Sequence, residues 1–151
     1  MAQAEIKGER VDGKAFYSVL NRSDEFCQHL GRAVLAAGRL ETALKRYLKV
    51  RSVDTDTSRM TLGQLIKILE QHSLLSKMQH SLDMLKCQRN FLTHNIHSFL
   101  FGEREEELIG ADELENLLDS DVVTYAERAW QLTQNLTGLA TIVERECGNQ
   151  P

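Results

Sequence analysis

Arg89, Asn90 and His94 are the residues of this chain best suited to act together on a phosphate group. A guanidinium presents a planar fork of N–H donors that matches phosphate oxygens. An imidazole with an ordinary pKa of about 6.5 takes and gives a proton at neutral pH. A carboxamide both donates and accepts hydrogen bonds. The run Arg89-Asn90-Phe91-Leu92-Thr93-His94 sets the cation and the imidazole five residues apart. Arg89 also sits where an apolar residue is expected. Met78, Leu82, Leu85, Leu92, Ile96 and Phe99 form one stripe at helical spacing, and Arg89 fills its gap between Leu85 and Leu92. A cation facing a core is costly unless it is paired or reaches a cleft.

These residues need helices to position them, and the chain reads as helical throughout. It has 151 residues, nine glycines and a single proline at its last position. Apolar residues make up 42% and charged residues 26%, as in ordinary globular proteins. Leu, Ala, Glu, Gln, Lys and Arg dominate, the composition of helices. No alternating strand pattern and no internal repeat is present. The expected fold class is all-α: a small antiparallel helical bundle of four main helices plus short ones. Residues 1–22 read as an N-terminal arm, loosely ordered or with a short helix near 14–21, and 23–148 as a single domain.

Ser23 or Asp24 is placed to cap a long helix over about 24–51, whose stripe is Phe26, Leu30, Ala33, Ala37, Leu40, Leu44 and Tyr47. Gly31 and Gly38 within it allow close approach of another helix. Thr61 and Gln64 form a capping box that opens a short helix over about 61–72. Ser73 is the expected cap of a continuous third helix, about 74–100, ended by Gly102. The charge run 103–107 reads as a solvated connection, and 112–119 as a short helix. A last long helix, about 120–147, buries Val122, Ala126, Ala129, Leu132, Leu136, Leu139 and Val143. Seams in excess of what one copy buries favour a two-fold homodimer.

On an ideal α-helix, residues five apart project roughly 140° from each other. Arg89 and His94 therefore do not aim at one point from a single undistorted helix. Arginine's reach, a local helix distortion, or a two-fold axis that joins both copies in one cleft would bring them together, and the last is favoured.

The Arg89–His94 run is similar to the Arg-x4–6-His motif of the HEPN superfamily, which often places a polar residue straight after the arginine. The order of the surrounding elements also fits. Gly38-Arg39-Leu40-Glu41-Thr42-Ala43-Leu44 lies on the first long helix, and Thr61-Leu62-Gly63-Gln64-Leu65-Ile66 opens a short one. The motif then follows late in the next helix, so the likeness covers about 24–102. It implies a metal-independent endoribonuclease that acts as a homodimer with a composite active site. His94 would be the acid/base, Arg89 would stabilise transition-state charge, and Asn90 would orient the histidine or a phosphate oxygen. The attacking group would be the ribose 2′-hydroxyl, hence RNA. The resemblance also implies a prokaryotic toxin or defence effector, and many such toxins are paired with an antitoxin protein. Some members of the superfamily instead only bind nucleotides or partner proteins, so a non-catalytic helical module is the alternative.

Further residues fill supporting roles in this reading. His97 is an auxiliary site candidate, and Glu41 a partner for Arg89. Lys45, Arg46, Lys49 and Arg51 form a cationic segment that either faces RNA or complements a helix end. The net charge of −4 excludes broad polyanion coating, so any such patch is local. His94 and His97 have no visible third ligand, so no metal and no cofactor is expected. His72 and His80 read as exposed, Tyr125 and Trp130 as packing or dimer contacts. Cys27, Cys87 and Cys147 are odd in number and far apart, as in a reduced, cytoplasmic protein. No signal peptide is recognisable, and no apolar run reaches spanning length.

Overall fold

The computed structural model describes the backbone of residues 13–95 and 122–148, and side chains over 17–93 and 122–148. The fold is all-α. Among the described residues it has five α-helices and no strand: α1 (Gly13–Arg22), α2 (Asp24–Val50), α3 (Leu62–Gln71), α4 (Gln79–Asn90) and α5 (Val122–Gly148). A 3-10 turn, Ser76–Met78, precedes α4, and a π-helical turn, Phe91–Asn95, follows it. The helix expected at 112–119, the stop at Gly102 and the charge run at 103–107 lie outside the described residues.

The chain divides into two compact units, one of Met1–Gly31 with Asn90–Trp130, the other of Arg32–Arg89 with Gln131–Pro151. The first buries Leu20, Phe26, Phe91, Leu92, Tyr125 and Ala129. Ser23 breaks the chain between α1 and α2 and caps α2, its hydroxyl accepting from the Phe26 amide at 3.1 Å. Asp24 and Glu25 add negative charge at the positive end of the helix dipole.

The second unit is built on α2. Ala33, Ala37, Leu40, Leu44 and Tyr47 are buried as the periodicity requires, and Ala36, Ala43 and Leu48 widen the stripe. Against it lie the apolar faces of α3 (Leu62, Leu65, Ile66, Leu69), α4 (Leu82, Leu85) and α5 (Leu132, Leu136, Ala140, Val143). Gly31 and Gly38 do not mediate close packing, contrary to expectation. Both are exposed, and a Cβ built on either meets nothing within 4 Å. They lie on the solvent face of α2, away from its alanine-rich seam. Leu30, Val122 and Leu139 are only half-buried.

The Thr61 capping box is formed. Thr61 Oγ1 accepts from the Gln64 amide at 3.3 Å, and Gln64 Oε1 accepts from the Thr61 amide at 2.9 Å. Ser73 does not cap a following helix. It is the left-handed residue (φ 52°) that closes α3, with its amide bonded to the Glu70 carbonyl and the Leu74 amide to the Leu69 carbonyl. That pair of bonds is a Schellman motif. Ser52 (φ 60°) closes α2 in the same way, through Ser52–Lys49 and Val53–Leu48 bonds. A left-handed conformation favours glycine. Ser73→Gly is therefore expected to raise stability by about 0.5–1 kcal/mol, read from urea denaturation.

The continuous helix expected over 74–100 is interrupted on both sides of α4. Leu75 is left-handed (φ 51°) and leads into the 3-10 turn, so the regular helix begins only at Gln79. At the other end the winding loosens to π after Asn90, and two sequence neighbours, Phe91 and Leu92, are both buried there.

Candidate functional site

Arg89 lies in the last turn of α4 and is half-buried, with its Nε withdrawn from solvent. This fits a cation set into an apolar stripe: Leu85 and Leu82, one and two turns earlier on the same helix, are buried. Asn90 ends α4 and is also half-buried. The next five residues form the π-helical turn, which contains the backbone of His94. The side chain of His94, and all of His97, lie outside the described residues. Turns of this kind close i→i+5 hydrogen bonds and occur mostly as single insertions in α-helices, frequently at functional sites. Glu41 is half-buried on α2, and among the described residues it forms no ion pair with Arg89.

The cationic segment resolves into unlike members, all in the second unit. Lys45 Nζ donates to the Ser58 carbonyl at 3.2 Å and so ties the loop after α2 back onto that helix. Asp56 steadies the same loop, its carboxylate accepting from the Ser58 amide at 3.0 Å, and bonding to Ser58 lowers its pKa from the usual range. Arg46 and Lys49 are exposed. Arg51 is half-buried, with its guanidinium carbon 5.0 Å from the centroid of the buried Tyr47 ring. Its Nε is sealed from solvent and has no hydrogen-bond partner among the described residues. Leaving such a donor unmatched costs about 1–3 kcal/mol, of which the ring contact offsets about 0.5–1 kcal/mol.

One ion pair went unread in the sequence. Arg39 on α2 grips Glu144 on α5 through two donors, Nε–Oε2 at 2.9 Å and Nη2–Oε1 at 2.7 Å. The bonds to Arg39 hold the Glu144 carboxyl below the ordinary glutamate range, and the charge of Arg46 adds to the effect. Cys147 is buried, its Sγ 3.8 Å from the Ala43 carbonyl. Burial pushes its thiol up from the ordinary range, while Arg46 and Arg51 pull the other way. Cys27 and Cys87 are exposed free thiols.

His72 and His80 are exposed, as read from the sequence, and Tyr125 is fully buried while Trp130 stays 44% exposed. His29 falls beside the apolar stripe of α2 rather than on it, so the periodicity does not mark it. It lines a shallow groove of about 330 Å³ in the first unit with Glu25, Glu127 and Trp130. Among the described residues no group of three potential metal ligands converges, and no helix is long and apolar enough to cross a membrane. Comparison with family models, with curated proteins and with solved structures gives no match for this chain.

Proposed function

We propose that this protein is a metal-independent endoribonuclease of the HEPN type, of the toxin or defence class, with Arg89 and His94 as its reactive pair. The observation that carries the reading is the π-helical turn that begins after Asn90 and includes His94. The π winding covers Phe91–Asn95 and begins only after Arg89, which stays on the regular winding of α4; single π turns in α-helices occur frequently at functional sites. The half-buried Arg89 at the end of an apolar helix stripe supports the same reading. A cation partly removed from water acts more strongly on developing negative charge than one fully solvated.

In the proposed reaction His94 takes the proton of a ribose 2′-hydroxyl, and the resulting oxygen attacks the adjacent phosphorus. The bond to the 5′-oxygen breaks, and that oxygen leaves with a proton from an imidazolium. The products are a 2′,3′-cyclic phosphate and a 5′-hydroxyl. Arg89 neutralises the extra charge of the five-coordinate transition state, and Asn90 orients the imidazole or a phosphate oxygen. Two copies of the motif line one cleft in a homodimer. The test is incubation of purified protein with mixed RNA in the presence of EDTA. Chelator-resistant cleavage that disappears in Arg89→Ala and in His94→Ala is the expected result. Cleavage that both variants retain at the level of the unaltered protein belongs to a contaminant and overturns the proposal.

A further inference from the structure

The C-terminal end of α2 shows several features that together point to an anion. Arg51 is a cation fixed on a ring face, with one N–H buried and unmatched among the described residues. Arg46 and Lys49 stand exposed within five residues of it. Two acids of the same unit are already engaged, Glu144 by Arg39 and Asp56 by the Ser58 amide. Lys45 differs from Arg46, Lys49 and Arg51, because one of its ammonium donors is held by the Ser58 carbonyl. A ring-held guanidinium with no acid partner among the described residues is pre-ordered for a planar, multi-donor contact, and it loses little freedom when an anion arrives.

We propose that Arg46, Lys49 and Arg51, with Tyr47 as the platform for Arg51, bind backbone phosphates of an RNA strand, in a site that uses neither Arg89 nor His94. The choice of RNA rests on the function proposed above; the anion preference rests on the geometry alone. Phosphate contacts of this sort fix register and affinity without reading sequence.

The probe is a fluorescein-labelled single-stranded oligonucleotide of 2′-O-methyl residues, which lacks the attacking hydroxyl and so reports binding apart from cleavage. Affinity is followed by anisotropy across a salt series. The double variant Arg46→Gln/Arg51→Gln is expected to bind at least about tenfold more weakly and to flatten the slope of log K against log salt by about 1.4, since each single-strand phosphate contact contributes about 0.7. Lys45→Gln is expected to lose less affinity than the double variant, and Arg51→Lys to fall between the double variant and the unaltered protein. Far-UV circular dichroism checks the fold, and the exposed pair Arg46→Gln/Lys49→Gln serves if a variant at Arg51 does not fold. Unchanged affinity and slope in the double variants overturn the proposal, as does absence of binding by the unaltered protein. Vesicles of anionic phospholipid that bind while the oligonucleotide does not would also overturn it. If binding persists while chelator-resistant cleavage is absent, this site stands and the nuclease reading falls.

Discussion

Replacement of His94 by alanine is expected to lower RNA cleavage by about 10²–10⁴-fold, the usual worth of a positioned general acid–base. Arg89→Lys is expected to lose about 10²–10³-fold, the usual worth of one preorganised charge stabiliser. Lysine keeps the positive charge at that position. It loses the planar fork that meets two phosphate oxygens at once. The expected loss therefore separates geometry from charge, and it falls on the turnover rate more than on substrate affinity if the contact forms chiefly in the transition state. Arg89 is half-buried and sits in the last turn of α4, so the lysine variant is expected to keep its helical circular dichroism.

The second large effect is on stability. Leu40 is fully buried near the middle of α2. Leu40→Ala leaves a cavity and is expected to cost about 2–5 kcal/mol. That is a large part of the 5–15 kcal/mol typical of a domain, so the variant approaches its unfolding threshold at ordinary temperature. Urea denaturation reads the change as a shift of midpoint at nearly constant slope. Leu35 is the internal control. It lies five residues earlier on the same helix and is 76% exposed, so Leu35→Ala is expected to stay within about 0.5 kcal/mol. Equal losses at the two positions would contradict the assignment of the α2 core face.

Much of this architecture was legible from periodicity. The α2 stripe through Leu40 and Tyr47, the Ser23 boundary and the Thr61 capping box follow from local rules, and each is made by residues close in sequence. The break between α3 and α4 was not legible. Met78, Leu82 and Leu85 continue in helical phase, and a serine before a helical run is equally suited to start a helix or, at some strain, to end one. Ser73 ends one, because Leu74 and Leu69 close the α3 terminus through a backbone bond of 2.8 Å. The π-helical turn carries no glycine or proline to announce it. It coincides with the burial of Phe91 and Leu92 together, a tertiary demand that no local pattern encodes. The grip of Arg39 on Glu144 spans 105 positions of sequence, beyond any spacing rule.

The site was legible to a different depth at each residue. Arg89 stood out because a cation interrupted an apolar stripe, and its half-buried state on α4 agrees with that. The cationic segment appeared in the sequence as four equivalent charges. The structure separates a loop tether at Lys45 from a ring-held Arg51, a distinction set by Ser58 and Tyr47 rather than by the charges themselves.

The most direct measurement of the central claim is the mass of the products formed from a defined single-stranded RNA in excess chelator, beside the same sequence with every 2′-hydroxyl methylated. The account predicts fragments ending in a 2′,3′-cyclic phosphate from the first strand and none from the second. Cleavage of the methylated strand, or a 3′-hydroxyl newly formed at the cut, would contradict attack by the ribose hydroxyl and with it the roles given to Arg89 and His94.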